Sequence, residues 1–338
     1  MVNAAAHPRA TQPPGSTSPA SEPRETSLPS PPMALIVTGT IGIDTIVTPH
    51  GHAEKILGGS GTYFAAAASF YGPVRLVAVV GSDFPPEHMS TLMHFKGVDT
   101  TGLEIRAGSK TFAWGGKYHA NMNSRDTLFT ELGVLGEHPP KVPAAFADSN
   151  IVFLANSPPA VQMGFLDQLP KRKIVIADTM DLWINVAKAD LLALLKRVDG
   201  LVLNYDEAEL LTGKANTIAA GRAMLDLGPR FVVIKKGEHG AILVHRDGLA
   251  ALPAYPADQV IDPTGAGDTF AGGMMGYLAS SERAVDDPGS YANIRQALVH
   301  GTVVASFNIE AFSLARLRTL TKGEIESRVT EFTNMIRV

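Results

Sequence analysis

The sequence predicts an α/β protein built on a central, mostly parallel, doubly wound sheet with helices on both faces. From residue 151 onward, short apolar runs typical of buried strands alternate with segments of helical pattern, as they do in such sheets. Polar or glycine-rich turns follow several of the runs, and ligands of open α/β sheets bind at the carboxyl ends of their strands. The 338 residues are 45% hydrophobic, which suits one large domain or a domain with a small accessory piece.

Residues 1–32 differ from the rest of the chain. They are rich in Pro, Ser, Thr and Ala and contain almost no large apolar residue. Such a segment cannot bury a core, so we expect a disordered tail. It lacks the apolar stretch of a secretory signal, and Met33, just before the first predicted strand, is a candidate for the native start. Residues 33–338 are expected to form the folded domain.

Two kinds of pattern occur in the first half of that domain. Near-continuous apolar runs are typical of buried strands, whereas short alternating runs with glycines indicate extended strands. We predict strands at residues 34–40, 74–81, 103–120 and 127–132, and helices at 63–71 and 89–96.

The second half alternates more regularly. We predict strands at residues 151–155, 173–178, 201–204, 231–235 and 241–245, and helices at 162–169, 191–198, 207–211, 269–278, 294–308 and 322–336. The last helix is amphipathic and is expected to be structural.

Composition excludes several classes of function. The formal net charge of −4 argues against nucleic acid or an anionic membrane as the main partner. The chain has no cysteine, which excludes disulfides, zinc–thiolate sites and cysteine nucleophiles and fits a cytoplasmic protein. No apolar run approaches the roughly 20 residues of a membrane helix.

The most informative stretch is residues 262–273, Asp-Pro-Thr-Gly-Ala-Gly-Asp-Thr-Phe-Ala-Gly-Gly. A turn containing Pro263 precedes a glycine-rich start of a helix. Backbone N–H groups at such a start, with the positive end of the helix dipole behind them, form an anion site, and glycine lets an anion approach closely. We assign Gly265, Ala266 and Gly267 to this anion hole.

Asp268 is unusual inside an anion site, because its carboxylate repels a bound phosphate. Proton abstraction from an attacking hydroxyl would explain it, while the neighbouring N–H groups stabilise charge on a transferring phosphoryl group. The alternative is that Asp268 only caps the helix. A Gly-x-Gly-Asp pattern alone leaves both interpretations open.

Asn204 and Glu207 stand three residues apart at the start of a predicted helix, so both side chains can face one spot. Mg²⁺ takes oxygen ligands, often through waters, with one or two carboxylates. The alternative is helix capping with an acid in the first turn, and the spacing alone favours it.

Several residues near the predicted strand ends are candidates for binding a polyol. Asp44 follows the first strand and can accept hydrogen bonds from vicinal hydroxyls, or serve as a turn residue. Gly58, Gly59 and Thr62 belong to a glycine turn that opens a helix, either to admit a small ligand or to pack strand against helix. Asp178 ends its strand at the same edge and is expected in or near the site.

Residues 262–270 closely resemble the C-terminal signature of the ribokinase-like (PfkB) carbohydrate and nucleoside kinases. The resemblance extends over about residues 34–320 and implies a ribokinase-like fold with a small β lid, formed by about residues 45–57 and 103–132. In that family the signature supplies the anion hole and the catalytic aspartate, which implies that Asp268 is the base.

On the acceptor side, the resemblance implies that Asp44 and the Gly58–Gly59 turn hold the substrate. Many members carry Asn where this chain has Tyr63, and that Asn contacts the acceptor, so the departure leaves the acceptor's identity open. A polar cluster in the lid faces either the acceptor or solvent. It comprises Asn121, Asn123, Arg125 and Asp126, of which Asn123 is the candidate substrate-binding residue.

On the nucleotide side, Gly237 and Gly240 resemble the family's glycine turn under ATP. Asn204 and Glu207 match an Asn-x-x-Glu motif that acts on Mg²⁺ and phosphate largely through water. Lys235 stands where many members have a small hydroxyl residue, so it either reaches the phosphates or points to solvent.

Position places His300 and Asn308 near the adenine pocket, although His300 fits a helix-surface histidine equally well. Family members often need K⁺, bound by backbone oxygens near Asp262 and Thr264. The family also leaves room for a homodimer formed through the lid.

The reaction that the resemblance implies is transfer of the γ-phosphoryl group of ATP, with Mg²⁺, to a primary hydroxyl. The expected acceptor is a sugar or sugar acid. A nucleoside is the alternative, because Phe112, Trp114 and Tyr118 in the lid could stack on a base. A non-catalytic ligand-binding regulator on the same fold is the third interpretation, and the intact Asp268 argues against it.

Overall fold

A computed structural model describes residues 1–3 and 33–337 of the chain. The chain divides into two units, Met1–Pro31 and Pro32–Val338. Apart from residues 1–3, the tail predicted to be disordered at residues 1–32 lies outside the described residues. The strands and helices given below all belong to the second unit.

The strands form two sheets. They are β1 (Leu35–Thr38), β2 (Gly42–Thr48), β3 (Gly51–Gly58), β4 (Val74–Gly81), β5 (Val98–Arg106), β6 (Phe112–Tyr118), β7 (Arg125–Glu131), β8 (Ile151–Leu154), β9 (Ile174–Asp178), β10 (Gly200–Asn204), β11 (Phe231–Lys235), β12 (Ala241–His245) and β13 (Gly248–Leu252). The large sheet has the order β13-β12-β11-β10-β9-β8-β1-β4-β5, and the small sheet has the order β3-β2-β6-β7. The large sheet is parallel from β11 to β5, with β12 and β13 antiparallel at one edge.

The helices are α1 (Ser60–Ala68), α2 (Pro86–His94), α3 (Pro159–Leu166), α4 (Asp181–Val186), α5 (Lys188–Leu195), α6 (Tyr205–Thr212), α7 (Thr217–Leu225), α8 (Ala266–Ser280), α9 (Tyr291–Asn308), α10 (Ala315–Thr319) and α11 (Lys322–Met335). None of the described helices is long and apolar enough to cross a membrane.

Helices cover both faces of the large sheet. Side chains alternate across a strand, so in β1 Leu35 and Val37 enter one apolar cluster and Ile36 enters the other. The first cluster contains residues of α1, α8 and α9, and the second contains residues of α3, α5, α6 and α7. The prediction of a doubly wound α/β fold is confirmed.

The small sheet is the predicted lid, but its bounds differ from the prediction. Residues 103–106 belong to β5, which pairs with β4 in the large sheet. As an edge strand, β5 has one neighbour and incompletely covered faces, so its sequence alternates as a lid strand would. The assignment of those residues to the lid is therefore wrong.

The sequence prediction does not include α4, α7, α10 or β13. In α7 the helical pattern is weakened by Gly221, which is needed for packing, because an added Cβ would lie 2.4 Å from Val244 Cγ2 in β12. Seven of the eight predicted helices begin two or three residues earlier than expected. Helix α1 starts directly after Gly59, and α3 starts at Pro159, a residue preorganised for a first helical turn.

The carboxyl ends of the parallel strands bring the candidate residues to one edge. Asp178 ends β9 beside Val202 of β10, and Asn204 ends β10 beside Lys235, the last residue of β11. The lid begins at this same edge, because β1 leads through three residues into β2.

Candidate active site

The predicted anion hole lies at the start of α8. Gly265 is the N-cap with φ 73°, a left-handed conformation that glycine adopts readily. The Asp262 carboxylate holds the preceding turn by accepting from the Thr264 N–H at 2.9 Å. The Ala266 N–H donates to the Pro263 carbonyl at 3.1 Å, so Gly265 and Gly267 are better placed than Ala266 to offer N–H groups to an anion.

Asp268 stands in the first turn of α8 and is partly buried. Burial, and then the neighbouring Asp178 charge, raise its pKa to about 7, against the opposing effect of Lys235. A carboxylate with a pKa near the working pH is suited to accept a proton from an alcohol. The local environment therefore fits a general base better than a simple helix cap.

Lys235 points into the site. Its Nζ lies 3.5 Å from Asp178 Oδ2, and an added Cβ on Gly267 would lie 2.7 Å from that nitrogen. Burial lowers the pKa of Lys235, but the charges of Asp178, Glu207 and Asp268 outweigh it, so the pKa is raised. The solvent-facing alternative is excluded, because the Lys235 side chain is only 17% exposed, and its ammonium lies beside the start of α8.

Asn204 and Glu207 form a capping box at the start of α6. Asn204 Oδ1 accepts from the Glu207 N–H at 2.8 Å, and Glu207 Oε2 accepts from the Asn204 N–H at 2.8 Å. The capping interpretation is therefore correct, and it does not exclude function. Burial, and then the Asp178 charge, raise the pKa of Glu207 to about 8, because the nearby Lys235 and Arg125 charges offset only part of their effect.

No cluster of three or more His, Asp or Glu side chains able to hold a metal occurs among the described residues. This is compatible with a cation that reaches Glu207 and Asn204 through water.

Asp44 lies in β2 and is only 3% exposed. Its carboxylate packs on Gly58, where an added Cβ would lie 1.9 Å from Asp44 Oδ2. Burial, and then the Asp262 and Asp268 charges, raise the pKa of Asp44 to about 8. Only glycine at position 58 leaves room for this carboxylate, so the structure gives a steric reason for glycine at this position.

The turn at Gly59 and the start of α1 also belong to the predicted acceptor side. Gly59 caps α1 at φ 95°, and an added Cβ there would lie 2.5 Å from the Thr40 carbonyl. Thr62 is fully buried in the first turn of α1, and its Oγ1 has no hydrogen-bond partner.

Tyr63 occupies the space between the acceptor side and the anion hole. The residue is 1% exposed, and its ring lies against Gly265, where an added Cβ would be 2.4 Å from ring atoms. Burial, and then the charges of Asp262 and Asp44, raise its pKa well above the usual value.

Four buried oxygens in this region lack a partner among the described residues: the Tyr63 hydroxyl, Thr62 Oγ1, Asp44 Oδ1 and Asp262 Oδ2. Leaving such groups unpaired costs about 1–3 kcal/mol each, so they are candidates for ligand contacts.

The lid presents aromatic side chains toward this space. In the parallel pair of β2 and β6, Trp114 is the partner of Asp44 and Phe112 is the partner of Gly42, so these rings and the Asp44 carboxylate share a face. Tyr118 reaches the anion loop, because Thr264 Oγ1 donates to its hydroxyl oxygen at 3.2 Å.

Asn123 is not on the acceptor side. It lies at the tip of the β6–β7 hairpin, where its Nδ2 donates to Glu238 Oε1 at 2.8 Å. Its Oδ1 would lie 3.0 Å from an added Cβ on Gly237. The assignment of Asn123 to substrate binding is therefore replaced by a contact with the turn between β11 and β12. That turn contains both predicted glycines, Gly237 (φ 54°) and Gly240 (φ 84°).

His300 lies away from the anion hole. Its ring stacks on Tyr277 with a centroid distance of 3.9 Å, and its Nδ1 lies 3.2 Å from the Tyr71 hydroxyl. Tyr277 is nine residues beyond Asp268 in α8, roughly 14 Å along the helix axis. Burial lowers the pKa of His300 to about 4, as expected for a neutral packed histidine. The ATP-binding assignment of His300 is corrected to a packing role.

Two other residues at the sheet edge make well-defined hydrogen bonds. Asn308 Nδ2 donates to the Thr264 carbonyl at 2.8 Å, which ties the end of α9 to the anion loop. Asn156, which the sequence reasoning missed, follows β8 closely, and its Oδ1 accepts from Trp183 Nε1 at 2.8 Å. The sequence feature that could have identified Asn156 is the one used for Asp178, namely a polar side chain at the carboxyl end of a strand.

Comparison with known proteins agrees with this geometry. Residues 36–317 match the pfkB family of carbohydrate kinases. A cytidine kinase from Thermococcus kodakarensis is 34% identical over 253 residues, 72% of this chain and 88% of that protein. A ribokinase from Haemophilus influenzae is 27% identical over 276 residues, 75% of this chain and 87% of that protein. The solved structure of Burkholderia thailandensis nucleoside kinase in complex with inosine has a TM-score of 0.71 at 20% identity, over 89% of this chain and 99% of that one.

The family match runs from β1 into α10 and so includes the Asn204–Glu207 capping box, Lys235 and the anion loop with Asp268. At 20% identity, the structural likeness shows the fold, which is ribokinase-like. The chain belongs to the pfkB family of carbohydrate kinases, and it is a phosphotransferase with an alcohol group as acceptor.

Proposed function

We propose that the protein transfers the γ-phosphoryl group of ATP to the primary hydroxyl of a nucleoside. The observation that carries this proposal is the shared face of Asp44, Phe112 and Trp114. A buried carboxylate suits the vicinal hydroxyls of a ribose, and aromatic rings beside it suit a planar base. The identity to a cytidine kinase supports the same class of acceptor.

In this proposal Asp268 takes the proton of the acceptor hydroxyl as its oxygen attacks the γ-phosphorus. The Gly265 and Gly267 amides and the Lys235 ammonium stabilise the negative charge on the transferring group. Asp44 and the Gly58–Gly59 turn hold the acceptor, with the free hydroxyls of Thr62 and Tyr63 close to it. ATP lies along the carboxyl ends of β10 and β11, over the Gly237–Gly240 turn.

Mg²⁺ would neutralise the polyphosphate when bound with ATP. The raised pKa of Glu207 fits this role, since a buried carboxyl without sufficient positive charge gains from a nearby cation. Glu207 and Asn204 would act through water. For K⁺, the fitting group is Asp262 Oδ2, a buried oxygen without a partner beside Thr264.

The lid is also our candidate for a dimer interface. β7 is an edge strand that is exposed along its whole length. Leu128, Phe129 and Leu132 are 50%, 38% and 40% exposed there, and exposed apolar edges favour pairing with another chain. Light scattering of the purified protein would give the mass; a monomer at micromolar concentration contradicts this part of the proposal.

A sugar or sugar acid is the second candidate acceptor. Asp44 would bind its vicinal hydroxyls equally well, and the identity to a ribokinase favours it. The two candidates differ in their need for the lid rings, because a sugar has no base to stack.

The test is ATP consumption with Mg²⁺ and K⁺ against a panel of nucleosides, sugars and sugar acids. Trp114→Ala and Phe112→Ala are assayed in parallel. Turnover with a nucleoside, and a raised acceptor KM in these variants, supports the proposal. Turnover confined to sugars, with the same KM in the variants, assigns the second candidate. ATP binding without turnover on any acceptor would favour the regulator instead.

A further inference from the structure

The lid contains a cationic side chain, that of Arg125, which has no part in the reaction proposed above. Arg125 is the first residue of β7, and its partner across the hairpin is Tyr118 of β6. Directly paired residues in antiparallel strands project to the same face. Because the Tyr118 hydroxyl accepts from Thr264 Oγ1 at 3.2 Å, that face looks onto the anion loop. Arg125 therefore stands above the anion hole.

A second contact fixes the hairpin in this position. At the hairpin tip, Asn123 donates to Glu238 in the turn between β11 and β12 at 2.8 Å. The β6–β7 hairpin thus touches both loops that would enclose the phosphates, the anion loop at Thr264 and the nucleotide turn at Glu238. Arg125 lies two residues after Asn123 and directly opposite Tyr118.

Nothing in the described part of the chain neutralises the Arg125 guanidinium. It makes no ion pair there and lies 5.5 Å above the Trp114 ring centroid. Burial dominates the pKa values of Asp268 and Glu207 and raises both, but the Arg125 charge acts on each in the opposite sense. Its field therefore reaches the base and the magnesium-side carboxyl together.

We propose that Arg125 is a catalytic residue, a lid-borne clamp on the γ-phosphoryl group during transfer. Its guanidinium offers a planar fork of N–H donors that matches two phosphoryl oxygens. The bond between the γ-phosphorus and the bridging oxygen breaks, and its electron pair goes to the β-phosphate of ADP. The acceptor oxygen bonds to the phosphorus, and its proton goes to Asp268. Arg125 forms no covalent bond and binds the equatorial oxygens.

The two cations of the site belong to different elements. Lys235 stands at the end of a core strand, whereas Arg125 stands on the lid hairpin. A phosphoryl group would meet both cations only beneath the hairpin, which ties transfer to a covered site and limits loss to water. This inference rests on the kinase reaction proposed above, but not on which alcohol is the acceptor.

The test uses the full-length protein and whichever acceptor gives turnover. Arg125→Met removes the guanidinium. Lys117→Met is the matched control, because Lys117 precedes Tyr118 in β6, is exposed and projects from the opposite face. Arginines that reach a phosphoryl group from outside the nucleotide site contribute about 10³–10⁵ in GTPases. Since Lys235 already supplies a cation here, we expect a kcat loss of roughly 10²-fold in Arg125→Met, with an unchanged KM for ATP.

Two further variants distinguish a catalytic role of Arg125 from a purely structural one. Arg125→Gly should regain activity with added guanidinium ion, and Arg125→Lys should restore only part of it. Equal kcat in Arg125→Met and Lys117→Met, or equal losses in both, would overturn the assignment. So would a loss in Arg125→Gly that guanidinium does not relieve while the melting temperature stays at the wild-type value. A wild-type protein active only on sugars contradicts the nucleoside proposal and leaves this comparison intact.

Discussion

At the scale of single residues, two buried carboxyls of the same type have different proposed tasks. Asp44 and Asp268 have raised pKa values of about 8 and about 7, and burial is the largest cause in both. Asp44 packs on Gly58 on the acceptor side, whereas Asp268 stands in the first turn of α8 beside the Lys235 ammonium. Position relative to the anion hole, rather than residue type, separates the binding group from the base.

Replacing Asp268 with Asn tests the base directly. The amide keeps the size and the helix position but cannot take a proton. We expect kcat to fall by roughly 10²-fold or more, with ATP binding retained. Steady-state kinetics and calorimetric titration with ATP give the two values. Turnover within a fewfold of wild type would refute the assignment.

The pH dependence of turnover follows from the same carboxyl. Only ionised Asp268 can act as a base, and its pKa is about 7, so kcat/KM should rise with pH through about 7 and then level off. A rise centred near pH 4, the ordinary range of an aspartate, would show that Asp268 is not the titrating base. The profile is measured at saturating ATP with limiting acceptor.

At the scale of elements, the site depends on close approaches that only glycine permits. Gly58→Ala would place a methyl group 1.9 Å from Asp44 Oδ2, so β3 or the carboxylate must move. We expect the acceptor KM to rise roughly 10-fold to 10²-fold while the KM for ATP changes little. Gly72→Ala is the control, because nothing lies within 4 Å of its added Cβ. Similar acceptor KM values in the two variants would contradict the role of this contact.

Elements also show where sequence reasoning succeeds. The start of α8 and Asp268 could be predicted, because a glycine-rich turn, an acid and a helical run are all local features. The sheet to which residues 103–106 belong could not be predicted, since an edge strand of the main sheet and a lid strand have the same alternating pattern. Asn123 and His300 were misplaced for a related reason. Their contacts, Glu238 for one and Tyr71 with Tyr277 for the other, are distant in sequence.

At the scale of the whole molecule, the acidic site should cost stability at neutral pH. A folded-state pKa of about 8 for Asp44, against 3.8 in an unfolded chain, means that the native state holds its proton more tightly. Stability from this group is fully present below pH 3.8 and is lost as pH rises toward 8. Asp44→Asn should therefore raise the melting temperature, and more at pH 8 than at pH 5.

Scanning calorimetry at both pH values provides that comparison. Asp258→Asn is the control, because Asp258 is exposed. A gain for Asp44→Asn that is equal at the two pH values, or no larger than that of the control, would contradict the account. The same variant should lose acceptor binding, so activity here is gained at the expense of stability.

The two tryptophans of the chain belong to different elements, one in the lid and one in a helix beside the large sheet. Trp114 belongs to the lid and lies beneath the Arg125 guanidinium, whereas Trp183 is 7% exposed in α4 and donates to Asn156 at the sheet edge. A Trp183→Phe variant would leave a single tryptophan in the lid, and Trp114→Phe would leave a single tryptophan beside the large sheet. Stopped-flow emission from the first variant should change when nucleotide or acceptor binds beneath the hairpin, and emission from the second should change less. The protein thus carries its own optical reporter for the order in which its two substrates bind.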